Sequence, residues 1–186
     1  QDLEHGVLRV LHEGSFIDDA TRMLRGVRYE QRFGFSFEPG TLGLLHRDMR
    51  YLETISGDRV RHEFERTLDE AEPQLAYRRL DALGVLGVVD PALAFSEDQA
   101  EALRSIAAKR PGGESVHSAM WCVLGWHIDG DNIDRVARRL NLPRRILDPL
   151  RDCVYIRSIE KDLASDTIRP SGVVSLLQGR SAAALM

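Results

Sequence analysis

Residues 16–35, FIDDATRMLRGVRYEQRFGF, carry arginine at positions 22, 25, 28 and 32 behind the aspartate pair Asp18 and Asp19. A carboxylate beside a guanidinium pairs a fixed acceptor with a fixed planar donor, and further guanidinium groups suit phosphate. At about 100° per residue, Arg22, Arg25, Arg28 and Arg32 share roughly 120° of helical arc. Met23, Leu24 and Val27 take the opposite, core-facing side. Asp19 precedes Arg22 by three positions, which makes the two neighbours on a helix surface. The same pattern also describes an ordinary wet helix face on which Asp19 complements the helix dipole.

A segment so rich in arginine stands out in a 186-residue chain of net charge −4. That charge excludes a globally basic nucleic-acid binder, so any RNA contact must rest on local arginine patches. Lys109 and Lys161 are the only lysines, and an apolar content of 43% with 6% aromatics predicts an aliphatic core. Cys122 and Cys153 fit neither a CxxC motif nor a disulfide framework, and are expected to be reduced and packed inside a cytoplasmic protein. No stretch has the apolar length of a membrane span, and no signal-like segment opens the chain. The chain begins at Gln1 on a strand-like stretch, GVLRVLH at 6–12, and reads as part of something longer.

The elements that must position these residues are helices divided by clear breakers. The first is predicted over 18–33, ending near Gly34, and Pro39 starts a second that reaches Ile55. Ser56, Gly57 and Asp58 break the pattern and cap a third over 58–70, with Val60, Phe64 and Leu68 at helical spacing. Pro73 opens a fourth that ends at Gly84, and VLGVVDPAL then turns the chain. Beyond it, helices are predicted at 96–110, 115–127, 129–140, 143–164 and 170–177, with PGGE at 111–114 as the strongest linker-like break. Met120, Trp121, Leu124 and Ile128 are expected to be buried. The predicted fold class is all-α, a multi-helix bundle after a residual N-terminal β-strand.

Several familiar sites are absent from the sequence. DGDNID at 129–134 starts like a calcium loop, but Ile133 replaces an oxygen ligand and the glycine is misplaced, so it reads as a helix N-terminus. No HExxH, GxSxG or glycine-rich phosphate loop occurs, and no carboxylate pair has the spacing for metal-assisted phosphoryl transfer. The sequence therefore offers no catalytic or metal-ligating constellation of its own.

The stretch DLEHGVLRVLHEGSFIDDATRMLRGVRYEQRFGF resembles the neck of bacterial, class II tRNA nucleotidyltransferases, the CCA-adding enzymes and related poly(A) polymerases. Asp18, Asp19, Arg22, Arg25 and Arg28 match that family's D-D-P-x-R-x-x-R-A-x-R-F pattern. Ala20 stands for its proline, Gly26 for its alanine and Tyr29 for its phenylalanine. SGDRVRHEFERTL at 56–68 is similar to its S-x-E-R-I-x-x-E-L motif, with Asp58 for glutamate and with Arg59 and Glu63 kept. ALGVL at 82–86 and the later NLPRR and RPS stretches resemble the family less specifically.

The resemblance implies that Asp19 and Arg22 act as an amino-acid template for incoming CTP or ATP. Arg25 and Arg28 would approach triphosphate or RNA backbone. Asp18, Arg59 and Glu63 would support the template, although Arg59 and Glu63, four apart, also suit an intrahelical ion pair. It further implies an N-terminal nucleotidyltransferase head domain, in cis or as a separate subunit, that holds the Mg2+ and the catalytic carboxylates. The chain alone would then be inactive. The expected division is 1–14 as the end of the head sheet, 15–70 as neck, 71–127 as body and 128–186 as an RNA-binding tail. Arg138, Arg139, Arg144 and Arg145, flanking the NLP turn, are the candidates for contact with a tRNA or other RNA 3′ end. A solvated charged face fits them as well. The rival to this reading is a stand-alone helical RNA-binding or protein-interaction module, or the non-catalytic subunit of a split nucleotidyltransferase.

Overall fold

The computed structural model describes residues 1–108, 114–165 and 168–185. A short β1 (Val7–Leu8) leads to α1 (Ser15–Asp18) and α2 (Thr21–Phe33). The chain then forms β2 (Ser36–Phe37), parallel to β1 with Val7 opposite Ser36 and Leu8 opposite Phe37. Next come α3 (Pro39–Asp48), a 3-10 turn over Met49–Thr54, α4 (Gly57–Leu68), α5 (Pro73–Ala82) and α6 (Val85–Val89). The last stretch supplies α7 (Glu97–Ala108), α8 (Glu114–Leu124), α9 (Ile133–Leu140), α10 (Arg144–Ser158), α11 (Glu160–Leu163) and α12 (Pro170–Leu177). Among the described residues, this is an all-α bundle with one two-stranded parallel ladder.

Local chemistry sets several of these boundaries. Glu38 accepts a 2.7 Å bond from the Thr41 amide at the start of α3, with Pro39 in the first turn. Ser96 and Gln99 cap α7 reciprocally: the Ser96 amide donates to Gln99 Oε1 at 2.8 Å and the Gln99 amide to Ser96 Oγ at 3.3 Å. At 129–134, Asp129 Oδ1 accepts from the Asn132 amide at 2.8 Å, just ahead of α9.

Four sequence expectations need correction. The predicted first helix is two helices, broken at Asp19 and Ala20, because the Asp19 side chain takes the Thr21 amide at 3.0 Å and starts α2 afresh. The second helix leaves α geometry at Met49 and tightens into the 3-10 turn. VLGVV is helical, since Val85, Leu86 and Val89 all reach the core. The 143–164 helix breaks at Ile159. Of the PGGE break, residues 111–113 lie outside the described residues.

One core runs through the bundle, from Phe16, Met23, Leu24 and Val27 by way of Phe64 and Tyr77 to Trp121, Val136 and Leu150. Met120, Trp121, Leu124 and Ile128 belong to it, as their spacing predicts. Cys122 and Cys153 are free, buried and adjacent, with Cys153 Sγ 4.0 Å from the Cys122 carbonyl. Gly57 permits a close approach of two backbones: a Cβ there would stand 2.3 Å from the Arg139 carbonyl oxygen, which seats the start of α4 against the end of α9. No helix among the described residues is long and apolar enough to cross a membrane.

Candidate functional site

An open cleft of about 430 Å³ lies where β1 and the chain after it face α2. Arg22 and Arg25 line it from α2, together with Gly26 and Tyr29 one and two turns on, and Arg9, His12 and Ser15 close other sides. Phe37 supplies apolar surface, and it crosses so near α2 that a Cβ at Gly26 would lie 2.7 Å from its ring. The alanine usual at this point of the resembling family's pattern would not fit at Gly26 unless Phe37 moved. A planar apolar wall beside guanidinium groups suits a nucleotide-sized ligand with an aromatic base and phosphates.

The aspartate of the predicted pair stands behind Arg25. Asp19 Oδ1 accepts from the Thr21 hydroxyl at 2.6 Å, the Thr21 amide at 3.0 Å and Arg59 Nη2 at 2.8 Å. Its Oδ2 accepts from Arg25 Nη2 at 2.6 Å. Burial pushes this carboxyl up, but the Thr21 bonds and the Arg59 and Arg25 charges outweigh it and hold it below its ordinary value. Arg22 is not bonded to Asp19. Its Nη1 donates to the Ser15 hydroxyl at 2.7 Å and the Ser15 carbonyl at 3.1 Å, at the first residue of α1. A guanidinium held by one nitrogen keeps Nε and Nη2 as further donors.

Arg59 and Glu63 reach across to α2 instead of pairing with each other. Glu63, buried to 6% exposure, lies 3.8 Å from Arg25 Nε, 3.6 Å from Arg28 Nη2 and 3.2 Å from Arg66 Nη1. Arg28 departs from the predicted ledge. It is 7% exposed, bonds Glu70 at 3.1 Å and lies over the Tyr29 ring, because α4 and the turn after it bring two carboxylates against that side of α2. Arg32 stays exposed on the same arc. Asp18 faces solvent and pairs with His12 at 3.5 Å, away from the Asp19 cluster.

The tail arginines divide. Arg138, Arg144 and Arg145 are exposed. Arg145 pairs with Glu65 at 3.3 Å on the rim of a second polar cleft that His62, Arg66 and His117 share. Arg139 turns inward, donating to the Leu52, Ile55 and Val89 carbonyls at 2.8, 3.1 and 3.2 Å. It ties α9 to the 3-10 turn and α6, each of its three guanidinium nitrogens taken by a backbone carbonyl, unlike its three neighbours in the predicted set.

Sequence reasoning missed the buried charged groups that brace α2 and α4. Glu30, 6% exposed, takes Arg79 from α5 through two bonds of 2.8 and 3.2 Å. Arg61 donates to the Asn141 carbonyl and to Asp58. The one available signal was a polar residue among apolar neighbours on a core-facing arc.

Nothing at the cleft suits a divalent ion. The nearby carboxylates, Asp19 and Glu63, are held by guanidinium groups, and among the described residues no three metal-ligating side chains converge.

The bundle and its arginine-lined cleft define a helical domain of the kind found in several known proteins. Residues 34–96 match the family described as "Probable RNA and SrmB-binding site of polymerase A". The A-adding tRNA nucleotidyltransferase of Halalkalibacterium halodurans is 35% identical over 120 residues, which cover 62% of this chain and 28% of that protein. The A-adding enzyme of Geobacter sulfurreducens is 34% identical over 108 residues, covering 57% of this chain and 12% of its own. Among solved structures, the Thermotoga maritima CCA-adding enzyme complexed with tRNA matches 99% of this chain and 47% of its own, at 30% identity and a TM-score of 0.78. A CCA-adding enzyme solved with CTP matches equally widely, at 30% identity and a TM-score of 0.79. The chain thus spans less than a third of these curated relatives and under half of these solved chains. It belongs to the class II tRNA nucleotidyltransferase family, as part of the C-terminal region.

Proposed function

We propose that this chain is the nucleotide-selecting and RNA-binding portion of a template-independent nucleotidyltransferase, one that adds CCA to tRNA 3′ ends or extends RNA as a poly(A) polymerase. The observation that carries the reading is the junction of α1 and α2. There Asp19 and Arg22 are fixed beside a cleft of about 430 Å³, in a fold shared with CCA-adding enzymes solved with CTP, ATP and tRNA.

The chemistry follows from the base edges. Cytosine and adenine each present an exocyclic amino donor, N4 or N6, beside a ring-nitrogen acceptor. The Asp19 carboxylate accepts from the amino group while Arg22, braced by Ser15, donates to the ring nitrogen or carbonyl. Uracil and guanine turn a carbonyl to the carboxylate and a ring N–H to the guanidinium. Two unpaired, desolvated contacts then cost several kcal/mol, on the order needed to reject both bases. Arg59 and Thr21 hold the carboxylate in place, and Glu63 and Glu70 hold the arginine row behind it.

The division of labour in this reading is a neck over 15–70 that selects, a body over 71–127 that supports and a tail over 128–186 that binds RNA. Magnesium and the reacting carboxylates belong to a head domain joined to it or bound beside it. The test is an enzyme in which this chain works with its head. Asp19→Ala and Arg22→Ala should each lower incorporation of both C and A by at least about tenfold. Unchanged incorporation of both by folded variants overturns the reading.

A further inference from the structure

Two buried atoms beside the cleft, one on Arg25 and one on Glu63, lack hydrogen-bond partners. Arg25 Nε is a donor without an acceptor, and Glu63 Oε2 is an acceptor without a donor. Arg25 Nε stands 3.8 Å from Glu63 Oε1, beyond hydrogen-bond length but within about 1 Å of it. Glu63 Oε1 also takes Arg66 Nη1 at 3.2 Å, and Oε2 lies 3.6 Å from Arg28 Nη2. Buried polar groups are rarely left so, and a guanidinium donor without an acceptor this near a carboxylate marks a second arrangement the site can adopt with little movement. Meanwhile Arg25 Nη2 is committed to Asp19 Oδ2 at 2.6 Å and to Thr21 Oγ1 at 3.0 Å.

That commitment matters for a carboxylate meant to read a base. Asp19 Oδ1 already takes three donors, more than its two lone pairs serve well. Oδ2 is the oxygen left for a ligand, and Arg25 covers it. Arg25 lines the cleft, whereas Asp19 does not. A base in the cleft therefore meets Arg25 before it meets the carboxylate.

We propose that Arg25 is a specificity gate with two seats, Asp19 and Glu63: on Asp19 it closes the base-reading oxygen, and on Glu63 it opens it. The inference rests on Asp19 being the residue that reads the base. Moving to Glu63 breaks the bonds to Asp19 and Thr21 and gives the orphaned Arg25 Nε an acceptor in Glu63 Oε1, and a ligand that binds the open seat better shifts the choice between the two. An amino group that replaces Arg25 on Oδ2 stabilises the open seat. A carbonyl cannot replace it, so uracil and guanine leave the gate shut, and rejection comes from the gate as well as from the edge. Glu63 is a positioning residue in this scheme.

The test is a double-mutant cycle in the full-length nucleotidyltransferase, read as KM and kcat for CTP. Glu63→Gln weakens the second seat and should raise KM for CTP about tenfold with kcat changed less than about twofold. In an Arg25→Leu background there is no gate to open, and the same Glu63→Gln change should move KM less than about twofold. Penalties that multiply, or a Glu63→Gln enzyme with unchanged KM, overturn the gate. A spectroscopic readout on the otherwise native enzyme stands if Glu63→Gln fails to fold. The Arg25 Nε–H resonance, assigned by its loss in Arg25→Leu, should shift downfield as CTP is added, and a resonance unmoved at saturating CTP overturns the proposal. Asp19→Asn separates the two levels. Unchanged base preference in that variant removes Asp19 as the reader, whereas a changed preference with multiplying penalties removes the gate alone.

Discussion

Arg59 Nη2 lies 2.8 Å from Asp19 Oδ1, joining residues forty apart in the chain and tying α4 to the start of α2. With Thr21 and Arg25 it holds the carboxyl of Asp19 below its ordinary value despite partial burial. A carboxyl whose folded value is depressed adds stability that is complete above the unfolded value of about 3.9 and is lost as pH falls through the folded one. Asp19→Asn should therefore destabilise the chain by about 2 kcal/mol at pH 7, through lost charge-assisted bonds. Urea unfolding at pH 7 and again near pH 2.5 checks this, and the gap between variant and parent should shrink at the lower pH.

The tail arginines should separate in RNA binding. Each of Arg138→Ala, Arg144→Ala and Arg145→Ala is expected to weaken tRNA binding and to lower the slope of log affinity against log salt by about one. Arg139→Ala should leave the slope unchanged and lower the melting temperature, because three backbone carbonyls lose their donor. Filter binding across a salt series, with thermal unfolding of each variant, measures both.

Gly57→Ala should be among the more damaging single-methyl additions in the chain. The new Cβ would meet the Arg139 carbonyl oxygen at 2.3 Å, backbone that cannot swing aside as a side chain could. A loss of about 3 kcal/mol in denaturant unfolding is expected, at the upper end of overpacking costs.

Much of the fold was legible because its signals are local. Met23, Leu24 and Val27 show helical spacing, Pro39, Pro73 and Pro170 mark helix starts, and all of these stand where the pattern put them. What escaped depends on partners distant in sequence. Arg25 and Arg28 share an arc on α2, yet Arg25 lines a cleft while Arg28 is buried against Glu63 and Glu70, at 3.6 and 3.1 Å. Arg138 and Arg139 are adjacent and about 100° apart, enough to send one to solvent and the other to three carbonyls. The β1–β2 ladder is two residues long on each strand, too short for an alternating pattern to show. At the candidate site, the residue types of the Asp19–Arg22 pair were readable. The resemblance put Arg59 behind the template, but the partners Thr21 for Asp19 and Ser15 for Arg22 were not legible.

The isolated chain should not polymerise. With tRNA lacking its terminal CCA, together with CTP, ATP and magnesium, incorporation should stay at the level of a protein-free control. The carboxylates nearest the cleft are engaged by guanidinium groups. Metal-dependent incorporation by the pure chain would place the reacting groups within it.

The most direct measurement is base preference in the full-length enzyme carrying Asp19→Asn. The amide presents a donor where the carboxylate presented only acceptors, so it can pair with the O4 of uracil. The ratio of kcat/KM for UTP to that for CTP should rise by at least about tenfold, in a variant whose helical circular dichroism matches the parent's. If that ratio is unchanged in the folded variant, Asp19 does not read the base, and the arginine row is only the polar face of a helix.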